Sequence, residues 1–590
     1  MFRIFVADFK IENMYIQRNT AKFKGGKEYT SVMLCEKYRK KGDKNPKTRT
    51  ILNLSNLPEE VITSIENSLK SKRVSMVQLD DIQIEKCVDF GYFFVIYSLL
   101  ERLKINDILE KTLPPETVPL IKIMIVGLLI STNSKLGILN WLRREAYISK
   151  IFDVEGQNYN EKHFYNALSV LSSHKLPIEK KWFRHHTFQG NSLYLYDITS
   201  AYFEGVENEL AAFGYNRDKK QGKMQLCIGL VTDNEGFPLK IDVFKGNIVD
   251  SETVEEQITS FGRDFGVDDI IFVGDRGMRL RYHIENNEEL QAQNIKFITG
   301  LTHSEINNLI EEKTIELSLF DQELAEVYDE KYRYILSVNP GLEYQQKLYL
   351  NNRKEYVEKL LNEVSNSWKT RKYRNMENKL KILENKTKNK KLKTEFTEKD
   401  IDQFKKRVNI ILSDTNSAKY FSIEQIDNDK FKINFNAEKF ENDLKLCGKY
   451  IVCTNVEKEK LTKEEVRGEY KKLQHVEHGF RDLKSDLISI RPIHHRKQET
   501  TIGHVQICFF AYAIIKTMED SLFPFLKNHN KINKEKISFD DIISELKNVK
   551  LCKLRIGKTS ILQFPKLNDL QTEIFQLFKL KASDMTSVMI

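Results

Sequence analysis

Apolar residues fall into distinct textures along the chain. In residues 1–80, short alternating runs at 2–6, 29–34 and 49–54 predict strands, and the helical period over 58–70 predicts one helix. With the basic stretch at 37–47 this reads as a small α+β module. From about 89 to 188 the apolar positions recur at helical spacing, punctuated by Pro114, Pro115 and Pro119, with amphipathic stretches at 136–148 and 164–176. An all-helical domain is expected there. The texture changes at Ser192. Runs at 192–198, 223–231, 239–243, 270–273 and 296–299 predict strands, with helical segments near 252–261 and 279–286. Strands come first as a meander and then alternate with helices, which is the order of an α/β layer on a mixed sheet.

Residues 303–460 break that rhythm and read as an insertion, with short strands at 419–423, 430–434 and 450–454. Helical spacing returns from 463 to 515, and 525–590 reads as a small α/β appendage. The expected organisation is a multidomain α/β chain: an N-terminal α+β module (1–80), a helical domain (81–188), and a core in two parts (189–302 and 461–524). The insertion (303–460) and the appendage complete it. No internal repeat is evident.

A chain of 590 residues exceeds what one hydrophobic core fills, in keeping with several domains. Hydrophobic residues at 41% and charged residues at 30% exclude a largely disordered polymer. The 93 basic against 84 acidic residues leave +9, and the segment 369–393 alone carries eleven Lys/Arg against two Glu, a net +9. That concentration marks a candidate track for a polyanion. Seven cysteines occur without any C-x-x-C pair, so neither a zinc ribbon nor a disulfide scaffold is expected. His185-His186 and His494-His495 are adjacent pairs whose side chains diverge, which disfavours zinc. The N-terminus shows no secretory signal, and the apolar runs at 91–100 and 118–130 are short or broken by Lys122. A cytoplasmic protein with no membrane span is expected.

Candidate chemistry concentrates at three carboxylates. Asp197 ends the run Leu193-Tyr194-Leu195-Tyr196, and Asp275 ends Ile270-Ile271-Phe272-Val273-Gly274. Ligands of open α/β sheets gather outside strand ends, although an Asp there is equally an ordinary turn or N-cap residue. Read as one helix, Tyr470, Leu473, Glu477, Arg481 and Lys484 fall on a stripe roughly 80° wide. The apolar stripe of Leu473, Val476, Phe480, Leu483 and Leu487 adjoins it, so Glu477 sits where buried surface meets solvent. A solvated Glu477–Arg481 pair is the plain alternative. Three hard oxygen donors suit Mg²⁺ or Mn²⁺.

These residues resemble the catalytic core of the DDE transposases of bacterial insertion sequences, and more narrowly the cut-and-paste group with a tyrosine–arginine–glutamate–lysine signature. Tyr470, Glu477 and Lys484 match that signature in register, while Leu473 stands where it has Arg; Arg481, on the same face, can substitute. Gly246-Asn247, Asp275-Arg276-Gly277-Met278, the run 476–484 and Ile490-Arg491-Pro492-Ile493-His494-His495-Arg496 carry the likeness further. The acidic intervals are 78 and 202 residues, the second long because this group inserts a β-rich domain.

The resemblance implies an RNase H-like mixed-sheet core in which Asp197, Asp275 and Glu477 hold two Mg²⁺ (or Mn²⁺) ions for DNA cleavage and strand transfer through a hairpin intermediate. It implies that Tyr470, Lys484, Arg481 and Arg276 contact phosphates, that Trp368 stacks a flipped base, and that Lys372 lies on the basic DNA track. Terminal inverted repeats and target DNA are the implied partners, bound by a homodimer associated with the nucleoid. A catalytically silent DNA-binding descendant, motivated by Leu473, and a nuclease that cuts without joining are the alternatives.

Overall fold

The computed structural model describes residues 14–22, 28–39, 45–70, 82–130, 134–187, 193–205, 207–215, 217–218, 220–266, 270–292, 295–384, 397–427, 430–534, 536–556 and 559–587. The strand expected at 2–6 and parts of the basic stretches at 37–47 and 369–393 lie outside them. The chain divides into two compact units, Met1–Asp89 with Val549–Lys566, and Phe90–Asn548 with Leu567–Ile590.

In the first unit β1 (Met14–Lys22), β2 (Glu28–Tyr38) and β3 (Lys47–Asn53) form an antiparallel meander. Helix α1 (Glu59–Lys70) buries Ile62 against Val32 and Leu54, with Glu59 and Glu60 in its first turn and Lys70 in its last, complementing the helix dipole. β4 (Ile82–Asp89) closes this stretch.

The second unit opens with α2 (Gly91–Arg102), α3 (Ile105–Glu110), α4 (Val118–Ile130), α5 (Lys135–Arg144), α6 (Ala146–Ile151), α7 (Glu161–Ser173) and α8 (Lys175–His186). Apart from Lys122, α4 is apolar on every face, and such a helix is stable only when surrounded; ten of its thirteen residues are buried. Then follow β5 (Leu193–Tyr202), β6 (Gln225–Thr232), β7 (Pro238–Lys245), α9 (Asp250–Ser260), β8 (Ile271–Gly274), α10 (Leu280–Asn286), α11 (Glu288–Ala292) and β9 (Lys296–Gly300). After α12 (His303–Glu311) come β10 (Leu324–Tyr328) and β11 (Arg333–Val338). The chain then leaves through α13 (Pro340–Leu383), α14 (Glu398–Asp414), the hairpin β12 (Phe421–Asp427) and β13 (Lys430–Phe435), and α15 (Ala437–Lys445). It returns as β14 (Lys449–Thr454), then α16 (Lys463–Lys471), α17 (Leu473–Lys484), α18 (Gln498–Ile532) and α19 (Phe539–Lys547). β15 (Lys550–Ile556) and β16 (Thr559–Gln563) go back to the first unit, and α20 (Asp569–Leu577) and α21 (Ala582–Ser587) end the second.

One eight-stranded mixed sheet organises the second unit, in the order β10-β11-β14-β9-β8-β5-β6-β7. β5, β8 and β9 run parallel and every other pairing is antiparallel. Central β5 is covered on both faces, which is why its sequence is a continuous apolar run instead of an alternating one; Asp197 and Tyr202 are its two half-buried positions.

Four sequence expectations change. The inserted segment is not β-rich. β10, β11 and β14 extend the central sheet, and what departs from it is two long helices, one hairpin and α15 around their own core of Val357, Leu361, Val364, Trp368, Phe404 and Val408. The first domain boundary falls at 89–90, because β4 pairs with β15 in the first unit, where Cys87 and Cys552 occupy directly opposed positions and form a disulfide. The boundary expected at 524 lies inside α18, which continues past Pro524. The helical run from 463 is three helices, with breaks at Lys472 and after Lys484. α18 is long and apolar enough to cross a bilayer, yet 83% of its most apolar window is buried inside the protein, as for a core helix.

Candidate active site

Asp197 lies mid-way along β5, its Oδ1 accepting the Ile198 backbone N–H at 2.7 Å. Asp275 follows the last residue of β8 and opens a tight turn over Arg276–Met278. Neighbouring parallel strands therefore bring the two carboxylates to one side of the sheet. Glu477 arrives from α17, which packs on β5. Val476, Gly479, Phe480 and Leu483 are buried along one side of α17, leaving Glu477, Arg481 and Lys484 on the other. Gly479 permits this seating, because a Cβ there would come 2.5 Å from the Tyr512 hydroxyl on α18.

The three carboxylates line one cleft of about 350 Å³ together with Arg217, Asp250, Arg481 and Lys484. An adjoining cleft of about 320 Å³ shares all three carboxylates and adds Asn339, Tyr450, Tyr470, Lys471, Leu473 and Gln474. Burial pushes the Asp197 carboxyl up to about 7; the Ile198 N–H and Arg217 oppose this, and the charges of Asp275 and Glu477 add to it. Three carboxylates in one cleft, one of them buried, offer oxygen donors of the kind hard divalent cations take. The donor set fits hard divalent cations.

Tyr470 hydrogen-bonds through its hydroxyl to Asp275 Oδ1 at 3.4 Å, over Gly300, whose missing side chain leaves room for the ring's polar end. Burial, and then the charge of Asp275, raise its phenol pKa. Lys484 donates to Thr199 Oγ1 at 2.8 Å and to Asp218 Oδ1 at 3.0 Å. Asp218 is almost fully buried and also pairs with Arg491. Burial pushes the Lys484 ammonium down and Asp218 opposes it.

Not every anticipated residue comes to this place. Arg276 is exposed directly after Asp275. Trp368 and Lys372 sit on α13 and line neither cleft. Trp368 is a core residue of the inserted lobe, with ring centroids 4.9 Å from Phe404 and 5.5 Å from Phe431, so the expectation that it stacks a base is corrected: its faces are occupied. Tyr470 and Glu477 belong to two helices and not one, so their shared stripe is not the reason they meet. Sequence reasoning missed Arg217, Asp218, Asp250, Asn339 and Tyr450. Arg217 and Asp218 lie in a Gly/Asn/Lys turn without periodicity, and Asp250 resembles any first-turn acid of a helix; no local pattern singles them out.

On another face of α17, His478, Asp482 and Glu519 form the described group whose ligand-type atoms all lie within 4.8 Å; the cleft carboxylates are spread more widely. Burial pushes Asp482 up to about 6, and burial with the nearby Asp482 charge pushes Glu519 up to about 7. A carboxyl whose folded pKa is raised takes up protons that the unfolded chain does not, so stability rises as pH falls from about 7 towards the unfolded value near 4.3. Glu519→Gln is expected to raise the melting temperature at pH 8 by roughly 2–4 °C and to have little effect at pH 5. Equal shifts at both pH values, measured by differential scanning fluorimetry, would remove this explanation.

Residues 189–514 match the transposase DDE domain family, and residues 16–77 match the N-terminal domain of the IS1634 family transposases. No curated protein matches the chain. Among solved structures it is similar to the piggyBac transposase synaptic complex with hairpin DNA, determined by cryo-electron microscopy, at 7% identity and a TM-score of 0.34, covering 85% of this chain and 84% of that one. With the DDE domain spanning more than half of its length and an insertion-sequence transposase domain ahead of it, the chain belongs to the DDE transposases of bacterial insertion sequences, enzymes that act on DNA.

Proposed function

We propose that the enzyme cuts the ends of an insertion sequence and joins them to target DNA at the carboxylate cleft, with Asp197, Asp275 and Glu477 as ligands of two Mg²⁺ or Mn²⁺ ions. The observation that carries this reading is the meeting of three carboxylates from β5, the end of β8 and α17 in one cleft, although 280 positions separate the first from the last. The strand order β7-β6-β5-β8-β9, with β5, β8 and β9 parallel, supports an RNase H-like core. DDE domains use divalent metal ions, generally Mg²⁺. When bound, such ions lower the pKa of an attacking water or 3′-hydroxyl and stabilise the leaving oxygen of an in-line displacement.

The chain's own residues divide the remaining work. Asp197, which feels the charges of the other two acids, would hold the ions together with Asp275 and Glu477. Arg481 and Lys484 line the cleft one and two turns after Glu477, where cations neutralise the phosphate being cut. Arg276, next to Asp275, serves the same strand. Tyr470, hydrogen-bonded to Asp275, positions that carboxylate as well as any phosphate beside it.

Each step exchanges one phosphodiester bond for another or for water. Water nicks the end and frees a 3′-hydroxyl; that hydroxyl attacks the opposite strand to close a hairpin. Water reopens the hairpin, and the 3′-hydroxyl then attacks target DNA. Lys372 and the basic stretch around it remain a proposed backbone contact. Terminal inverted repeats are the proposed recognition element, a homodimer on paired ends the proposed assembly, and the nucleoid the proposed location. The test is Mg²⁺-dependent cleavage of a duplex carrying the inverted repeat that flanks the coding region; cleavage by the intact protein that persists in excess EDTA would overturn the metal assignment.

A further inference from the structure

We propose that the enzyme holds duplex DNA at a second surface, made by α3 and α8, which binds the phosphate backbone apart from the carboxylate cleft. It rests on the chain acting on DNA and not on the assignment of the three carboxylates.

A concave site of about 410 Å³ lies between these helices, lined by Lys104, Lys111, Lys181, Arg184 and His185 against a single carboxylate, Asp107. None of these residues lines the carboxylate cleft. Lys104 is the one lysine with a nearby acid, its ammonium 3.6 Å from Asp107. Among the described residues, no carboxylate stands within 4.0 Å of Lys111, Lys181 or Arg184. The Lys181 ammonium is held in place by the Lys111 carbonyl at 2.7 Å and Thr112 Oγ1 at 2.9 Å, which engage two of its three donors.

Cations at the end of a helix have an ordinary explanation, since the dipole of α8 favours Arg184 and His185 in its last turn. It does not explain three lysines delivered from before α3, after α3 and within α8. Lys104 and Lys111 bracket α3 about 10 Å apart along its axis, by the rise of an α-helix. Each strand of B-DNA carries a charge every ~3.4 Å of its axis, so this span takes in more than one phosphate. Duplex DNA, stiff and charged along its whole length, matches a fixed set of cations with one partner acid among them.

The experiment is fluorescence anisotropy of the full chain in EDTA with a labelled random-sequence duplex of about 40 base pairs between about 50 and 200 mM KCl. The Lys111→Glu/Arg184→Glu variant is expected to bind at least about tenfold more weakly at the lower salt, with a log–log salt slope shallower by about 2. Asp107→Asn, which removes the opposing charge, is expected to bind about twofold more tightly. Affinity and slope unchanged in a folded double variant would overturn the proposal, as would a loss confined to single-stranded DNA of equal length. Should the double variant fail to fold, Asp107→Asn decides: tighter binding supports the surface and unchanged binding overturns it. No cleavage step enters the assay, so its failure is separate from failure of the catalytic reading.

Discussion

Alanine at Asp197, Asp275 or Glu477 is expected to lower Mg²⁺-dependent cleavage of an end-bearing duplex at least about a thousandfold. No neighbour can take over the lost ligand. Asp250 shares the cleft but is ion-paired to Arg217, and the other charged groups nearby, Arg481 and Lys484, are cations. Because the three acids act as one unit, a double alanine variant should be little worse than either single one. Duplex binding in EDTA should survive each change, which separates catalysis from folding. Measured by gel assays of nicking and joining, wild-type cleavage in any of the three variants would sink the assignment. Tight end binding by the unmodified protein without nicking, in Mg²⁺ and in Mn²⁺, would select the catalytically silent reading, and nicks without joined product would select a nuclease.

What the sequence reveals follows from how local each signal is. Asp275 is legible because a carboxylate at the end of a buried apolar strand stands out, and Asp197 because it is the one charge within such a run; β5 continues past it to Tyr202, so the expectation that Asp197 ends its strand is corrected. Glu477 is legible because α17 is amphipathic and places it at the margin of the buried face. The pairing of β10, β11 and β14 with the central sheet is not legible, because β pairing is set by partners far apart in the chain: β14 lies beside β9, some 150 residues earlier. Arg217 and Asp250 become site residues only when the loop after β6's neighbour β5 and the start of α9 meet. Trp368 is instructive in the opposite way. Val357, Leu361, Val364 and Trp368 follow one another at spacings of four, three and four, a core stripe present in the sequence and hidden by the surrounding lysines.

Asp218→Ala is expected to destabilise the second unit by about 3–5 kcal/mol, the cost of leaving buried cations without their acid. The Asp218 side chain is 2% exposed and Lys484 14%, and Arg491 reaches the same carboxylate oxygen. Removing the acid leaves these two cations facing each other with Arg217 nearby, and strips the Tyr202 N–H of its acceptor at 3.2 Å. Asn at 218 keeps one acceptor oxygen, which serves either the Tyr202 N–H or the cations but not both, because these bond opposite oxygens of the carboxylate; it should cost somewhat less than Ala. Lys484→Ala should cost less again, because Arg491 still neutralises Asp218. In a chain of two units the midpoint of the transition that includes the sheet is the quantity to compare. A melting temperature for Asp218→Ala within about 1 °C of wild type would mean that Lys484 and Arg491 relax into water without cost. The same loss has a catalytic side: Asp218 fixes Lys484 at the edge of the cleft, so any folded fraction of Asp218→Asn should cleave more slowly than its stability alone predicts, while binding DNA through the rest of its surface unchanged.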